Sequence, residues 1–300
     1  MTEEIFSLYA LYKRNFPFIV KSDGGVKSIL SNKNNVIIEK RNESGELIGA
    51  AVVNGSTIMM LCVDKEYRRQ GIGSYLLEKA EEAVKKAGHR SVNVGVGFSY
   101  LMPGVPTSKH YYPSVNERLS EGVDASASDF FENRGYYHNN DADNFDMLFP
   151  LSEFCKEDND IGDTVDGVRY RFAEKSDRLS VCACTDDAIE EFTEYYDSDY
   201  LYEGDPDSRV LIAEIGNEVV GALMVDCSES GIGTIGCMAV KTAYRGRRIA
   251  THLTILATKY LRDRGMKEAF LSYTYSGLDR LYGAAGYKIN VYYMMAKKKF

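Results

Sequence analysis

The hydrophobic and polar positions of this chain repeat. Ile58-Met59-Met60-Leu61-Cys62-Val63 and Ile235-Gly236-Cys237-Met238-Ala239-Val240 are apolar runs of strand length, 177 residues apart. Each is followed by a short polar turn, then by a basic glycine-containing turn, and then a helical period begins. Ile72, Leu76, Leu77, Ala80, Val84 and Ala87 fall on one stripe, as do Ile249, Leu253, Leu256, Ala257, Tyr260 and Leu261. Gly88 and Gly265 stop the two helices, because glycine takes the left-handed conformation of a helix C-terminus without steric cost. A further apolar run follows each, at residues 91–96 and 269–273. Strand, helix, strand in this order predicts a crossover joining parallel strands. Upstream, residues 46–53 and 56–63 predict a hairpin turning at Asn54-Gly55. Residues 218–227 and 232–240 predict its counterpart, with a looser turn at 228–231.

Downstream, Phe130-Phe131-Glu132-Asn133-Arg134-Gly135-Tyr136 matches Leu281-Tyr282-Gly283-Ala284-Ala285-Gly286-Tyr287, and the offset falls from 177 to 151. The first copy therefore carries about 26 additional residues, within 98–125, where Pro103, Pro106 and Pro113 leave no clear period. Residues 152–166, acidic and glycine-containing, read as a linker. The expected organisation is an N-terminal domain at 1–151, this linker at 152–166, and a C-terminal domain at 167–300. At roughly 150 residues per domain the length fits two.

Composition narrows the function. The formal charge is −8, with −2 in residues 1–150 and −6 in residues 151–300. That argues against nucleic acid as a partner, which needs a broad basic face. No apolar run approaches the roughly 20 residues that cross a bilayer, so no membrane partner is expected. The acidic start Met1-Thr2-Glu3-Glu4 lacks a signal-peptide pattern, which makes the cytoplasm the expected compartment. The six cysteines read as free thiols. Cys182 and Cys184 form a C-x-C with no second Cys or His pair at zinc spacing, so no metal is expected.

The chemistry lies in Arg68-Arg69-Gln70-Gly71-Ile72-Gly73-Ser74. A glycine-rich turn opening a helix presents unpaired backbone N–H groups, and the helix dipole adds partial positive charge. A pyrophosphate fits such a nest. Glycine permits close approach, and Arg68 and Arg69 add charge. The strand, this turn, the helix, the next strand and the later Gly-aromatic unit, in order and twice, resemble the GNAT superfamily of N-acetyltransferases, whose signature is [R/Q]-x-x-G-x-[G/A]. The resemblance covers roughly residues 35–149 and 168–297.

The resemblance implies an α/β (α+β) fold of two tandem GNAT domains, each a mixed twisted sheet with helices on both faces. It implies acetyl-CoA as cofactor, with pantetheine between splayed strands. Leu61, Cys62 and Val63 would then offer backbone groups to pantetheine and the thioester, and Arg68, Arg69, Gln70, Gly71, Ile72, Gly73 and Ser74 would cradle the pyrophosphate. The second copy departs from the pattern, with Arg248 where the first glycine belongs. In many family members a tyrosine before the Gly-aromatic unit protonates the leaving thiolate. Tyr282 holds that position in the second copy, Phe131 in the first.

The resulting expectation is an N-acetyltransferase that moves acetyl from acetyl-CoA to a primary amine, a small-molecule acceptor of cationic character. The alternative is a non-catalytic acyl-CoA-binding or scaffold protein, since neither copy is complete. The proline-bearing stretch 98–125 is expected to border the acceptor site, with Tyr100, Tyr111 and Tyr112 as further candidate acids. The cationic acceptor rests on acidity: residues 153–207 hold 18 Asp+Glu against 5 Lys+Arg, and Thr185 to Asp197 reads as a helix bearing Glu190, Glu191 and Glu194.

Overall fold

The computed structural model describes residues 2–95, 101–109, 126–155 and 161–300. In chain order the elements are α1 (Glu3–Asn15), α2 (Asp23–Leu30), β1 (Val36–Arg41), β2 (Leu47–Asn54), β3 (Thr57–Val63), α3 (Ile72–Lys86), β4 (Ser91–Val94), β5 (Val105–Thr107), α4 (Ala127–Glu132), β6 (Tyr137–His138) and β7 (Asn144–Pro150). There follow β8 (Thr164–Val165), β9 (Val168–Phe172), α5 (Arg178–Ala188), α6 (Thr193–Tyr196), β10 (Ser208–Ile215), β11 (Glu218–Asp226), β12 (Ile232–Val240), α7 (Ile249–Asp263), β13 (Glu268–Tyr275), α8 (Asp279–Gly283), β14 (Lys288–Met294) and β15 (Ala296–Lys299). Tyr100, Tyr111 and Tyr112, and most of the proline-bearing stretch, lie outside the described residues.

The described residues form two compact units. The first holds 2–95, 101–109, 126–144 and 291–300, and the second 145–155 and 161–290. The sequence reading expects contiguous domains, whereas these units trade terminal strands. β15, the last element of the chain, pairs antiparallel with β4 and with β6 in the first unit. β7, which ends the first copy of the repeat, lies between β13 and β14 in the second. The period-2 pattern of a strand states which face is buried and says nothing of which neighbour supplies the ladder.

In the first unit the sheet runs β1-β2-β3-β4-β15-β6. β2 is buried at its first seven positions, so both faces are covered. α1 and α3 pack on it. Gly49 lets α3 sit close: a Cβ there would lie 3.2 Å from Leu76 Cδ1 and 3.3 Å from Ile72 Cγ2. Gly221 does the same beneath α7, with a Cβ 3.0 Å from Ile249 Cγ2. These glycines set the first turn of each long helix against the sheet. In the second unit α5 and α7 pack on β11, which is buried at five successive positions from Val219.

Local corrections follow from turn chemistry. The first hairpin turns one residue later than expected, at Gly55-Ser56, because Asn54 pairs with Thr57. Gly55 carries the positive φ of +56°, as the first central residue of a two-residue turn. At the end of the expected linker, β8 turns into β9 as a hairpin around Asp166-Gly167, both at positive φ, +50° and +76°. Asp-Gly is itself a two-residue hairpin signal. The helix expected from Thr185 to Asp197 is not continuous. α5 begins at Arg178 and ends at Ala188, where Ile189 at φ −157° breaks the helical path. Thr185 is no cap: it is buried, and its Oγ1 donates to the Cys182 carbonyl 2.9 Å away. Among the described residues no helix is long and apolar enough to cross a membrane.

Candidate functional site

The start of β3 runs parallel to the end of β4, pairing Thr57 with Asn93 and Ile58 with Val94. A cavity of about 630 Å³ opens in the first unit beside the end of β3 and the loop that follows it. β12 and β13 likewise run parallel, pairing from Ile232 to Ile235.

Leu61, Cys62, Val63, Arg68, Arg69, Gly71, Gly73 and Ser74 line this one cavity. Gln70 and Ile72 do not. The Gln70 side chain turns back to donate to the Glu66 carbonyl at 3.2 Å. Ile72 is 9% exposed and belongs to the core. The floor of the loop end is the first turn of α3, whose leading N–H groups have no acceptor within the helix. Gly71 caps it at φ +82°, ψ −10°. A Cβ at Gly71 would meet no atom within 4 Å, so the space beside it is open. Burial pushes the Cys62 thiol up to about 12, which leaves it protonated at neutral pH.

The two arginines have different roles. Arg68 is structural: its Nε donates to the Val63 carbonyl at 2.8 Å and its Nη2 to Asn15 Oδ1 at 3.1 Å, fastening the loop to β3 and α1. Arg69, exposed and at φ +63°, stands on the loop itself. A third guanidinium, missed in the sequence, is Arg134. Its Nη2 donates to Ser74 Oγ at 2.8 Å, its Nη1 to the Phe130 carbonyl at 2.8 Å, and its Cζ lies 4.0 Å from the Phe130 ring centre. The repeat carried the signal: at the offset of 151, Asn133 and Arg134 align with Ala284 and Ala285. Polar side chains occur in the copy with the glycine nest and alanines in the other.

The remaining wall comes from Asn15 at the end of α1 and Phe16 and Phe18 after it, from Met102, Val105 and Pro106 after β4, and from α4 with Ser126 preceding it. Thr107 Oγ1 donates to Ser128 Oγ at 3.0 Å, tying β5 to α4. Lys109 pairs with Asp129 at 2.9 Å and also with Glu132, and both carboxylates raise its pKa. Phe131 is 4% exposed and forms edge contacts with Phe130 and Tyr136, at 5.1 and 5.2 Å between ring centres.

The second unit keeps the loop and alters its surface. Arg245 Nε donates to the Val240 carbonyl at 3.2 Å, as Arg68 does to Val63. Arg248 caps α7 at φ +60° and is exposed. Tyr282 is 5% exposed, and burial foremost, then Tyr275 and Cys237, raises its hydroxyl pKa. Its ring lies 6.4 Å from that of Tyr287. Tyr282 belongs to the second unit and is not among the residues that line the cavity of the glycine loop. Glu190 and Glu191 stand in a single 3₁₀ turn and Glu194 in the four-residue α6, also in the second unit.

Two family models match the chain, one described as acetyltransferase (GNAT) domain at residues 14–97 and one as acetyltransferase (GNAT) family at residues 177–287. No curated protein sequence matches. Solved structures are similar over nearly the whole chain. A GCN5-related glucosamine N-acetyltransferase region of a fungal multi-domain GH3 β-N-acetylglucosaminidase shares 16% identity at a TM-score of 0.72, covering 98% of this chain and 37% of that one. A tandem GNAT protein from the clavulanic acid biosynthesis pathway shares 14% at 0.70, covering 99% and 95%. A GCN5-related N-acetyltransferase from Sphaerobacter thermophilus shares 18% at 0.68, covering 98% and 91%. At these identities the likeness is one of fold.

Proposed function

We propose, for a chain that belongs to the GNAT acetyltransferase family and carries its domain twice, that the first unit binds acetyl-CoA and transfers its acetyl group to a primary amine. One observation carries this reading: Leu61 to Val63, the glycine loop and Arg134 line a single cavity. Peptide-like pantetheine suits the backbone groups of β3, and the pyrophosphate suits the N–H groups at the start of α3. Arg69 and Arg134 supply charge that the phosphates neutralise.

Chemistry then needs little from the protein beyond placement. The amine nitrogen attacks the thioester carbonyl, the tetrahedral intermediate collapses, and CoA leaves as its thiol. Backbone N–H groups of β3 polarise the carbonyl, and confinement of both reactants removes much of the entropic cost. Phe131 has no hydroxyl to give the leaving thiolate, so its proton comes from the attacking amine or from water. The second unit, with Arg248 in the loop, serves as a structural partner. The non-catalytic alternative draws support from Phe131 and Arg248.

Calorimetric titration is expected to give one CoA per chain, and release of free thiol from acetyl-CoA should rise with added amine. Absence of CoA binding refutes the assignment of the cavity. Tight binding without amine-dependent thiol release favours the non-catalytic alternative.

A further inference from the structure

Resting on the cofactor reading above, we propose that the acceptor of the first unit is an amine on an apolar, otherwise uncharged body, such as an arylalkylamine. Polyamines, amino sugars and basic peptides are disfavoured. The cavity lining divides by chemistry. Gly71, Gly73, Ser74 and Arg134 form a wall for phosphates. Apolar lining comes from three separate segments: Phe16 and Phe18, then Met102, Val105 and Pro106, then Phe131.

This apolar wall is built into the core. Phe16, Met102, Val105 and Phe131 are 8%, 3%, 1% and 4% exposed. Phe16 packs on Tyr12 and Phe18, with ring centres at 5.3 and 6.2 Å. The Tyr12 hydroxyl donates to the Leu101 carbonyl at 2.9 Å and so holds the Met102 segment against α1. A preformed apolar wall rewards an apolar ligand by the area it removes from water, without an ordering cost.

Asn15 and Asp129, two polar residues of the lining, already have partners. Asn15 Oδ1 accepts from Arg68 at 3.1 Å, and Asn15 Nδ2 donates to Asp64 Oδ1 at 2.8 Å and to the Leu11 carbonyl at 3.0 Å. The one carboxylate in the described lining, Asp129, is paired with Lys109. A second ammonium or a ring of hydroxyls on the acceptor would leave water there without an equivalent partner.

Calorimetry with the CoA-saturated wild-type protein decides the matter, using phenethylamine, spermidine and glucosamine as probes. Phenethylamine is expected to bind at least about tenfold more tightly than either of the others, with the same order in kcat/KM for thiol release. Equal or tighter binding of spermidine or glucosamine overturns the proposal. So does failure of all three to bind protein that does take up CoA. If CoA itself does not bind, the cofactor reading fails first and this proposal falls with it. Phe18→Asp places a carboxylate on the partly buried edge of the wall and is expected to erase the preference for phenethylamine over spermidine. Pro106→Glu is the second variant should the first misfold, and an unchanged preference in a folded variant also overturns the proposal.

Discussion

Deleting residues 296–300 should abolish CoA binding, although the glycine loop lies far upstream. β15 pairs with Ser91 through Val94 over four residues, and Ala296 and Lys297 also pair with His138 and Tyr137. An antiparallel strand in that register supplies about six ladder hydrogen bonds. At about 1 kcal/mol net each they contribute about 6 kcal/mol. Beyond the ladder, Phe300 N donates to the Arg90 carbonyl at 3.0 Å, and Lys298 Nζ pairs with Glu81 at 2.9 Å with side chains 26% and 12% exposed. Domain stabilities are about 5–15 kcal/mol, so loss of β15 removes most of the margin of the first unit. Protein ending at residue 295 is expected to lose one thermal transition and to show no calorimetric CoA signal. A peptide of residues 291–300, added in excess, should restore part of both. Lys298→Ala is the control: it leaves the ladder and removes the ion pair, worth up to about 1 kcal/mol, together with the ammonium 5.5 Å from the Tyr136 ring centre, and should keep CoA binding with a melting shift of about 2–4 °C. A truncated protein that binds CoA with wild-type affinity and keeps both transitions would refute the assignment of β15 to the fold of the first unit.

Other expectations are narrower. Arg134→Ala should weaken CoA at least about tenfold, one charge-assisted hydrogen bond to phosphate being worth about 1.5–3 kcal/mol, while the fold survives with a melting temperature lowered by a few degrees through loss of the Ser74 and Phe130 contacts; equal affinity would exclude Arg134 from the phosphate wall. Tyr282→Phe should alter amine-dependent thiol release by less than about twofold, and a large drop would move the chemistry to the second unit. Arg171 holds the Asp177 carboxyl below its ordinary value, through contacts of 2.6 and 2.9 Å. A depressed folded-state pKa stabilises above the unfolded value of about 3.9 and loses that contribution as pH falls through it. Asp177→Asn should therefore destabilise by about 1–2 kcal/mol at neutral pH, with the gap closing below about pH 4; a gap constant from pH 7 to 3 contradicts the linkage.

What could be read in the sequence was local. The repeat placed β3, α3 and β4 and their counterparts β12, α7 and β13, because a period of 3.6 beside an apolar run leaves few alternatives. That Leu61 to Val63 and most of the glycine loop stand at one cavity was legible for the same reason, since they lie close together along the chain. What escaped was contributed from a distance. Arg134 is separated from Ser74 by 60 positions, and no local pattern says that a guanidinium will return to a helix N-terminus. Phe16, Phe18 and Met102 read as ordinary core. The exchange of β7 and β15 was invisible because each follows the Gly-aromatic unit of its own copy, and the pattern within a strand does not say which neighbour supplies its ladder. The acidic stretch misled for the opposite reason: Asp and Glu in helical spacing suggested one helix, while Ile189 at φ −157° divides it.

The two loops separate what the fold needs from what a ligand needs. Each has two left-handed residues at equivalent places, Arg69 and Gly71 at φ +63° and +82°, Gly246 and Arg248 at +80° and +60°. The glycine has moved by two positions between the copies and the backbone has not. The left-handed turns therefore belong to the fold, which swings the chain from strand into helix, and an arginine occupies one at a cost of about 1–2 kcal/mol. Packing does not demand glycine at 71 either, since a Cβ there meets nothing within 4 Å. What remains is the approach of a phosphate to bare backbone N–H groups. Gly71→Arg places in the first unit the residue that the second already bears. It should fold cooperatively and melt a few degrees lower, by about 2–4 °C per kcal/mol. CoA affinity should fall at least about a hundredfold, because losing two charge-assisted contacts of about 1.5–3 kcal/mol each outweighs one added, solvent-exposed charge. Affinity within about threefold of wild type would mean that glycine at 71 is an accident of the turn, and that the phosphate site lies elsewhere in the cavity.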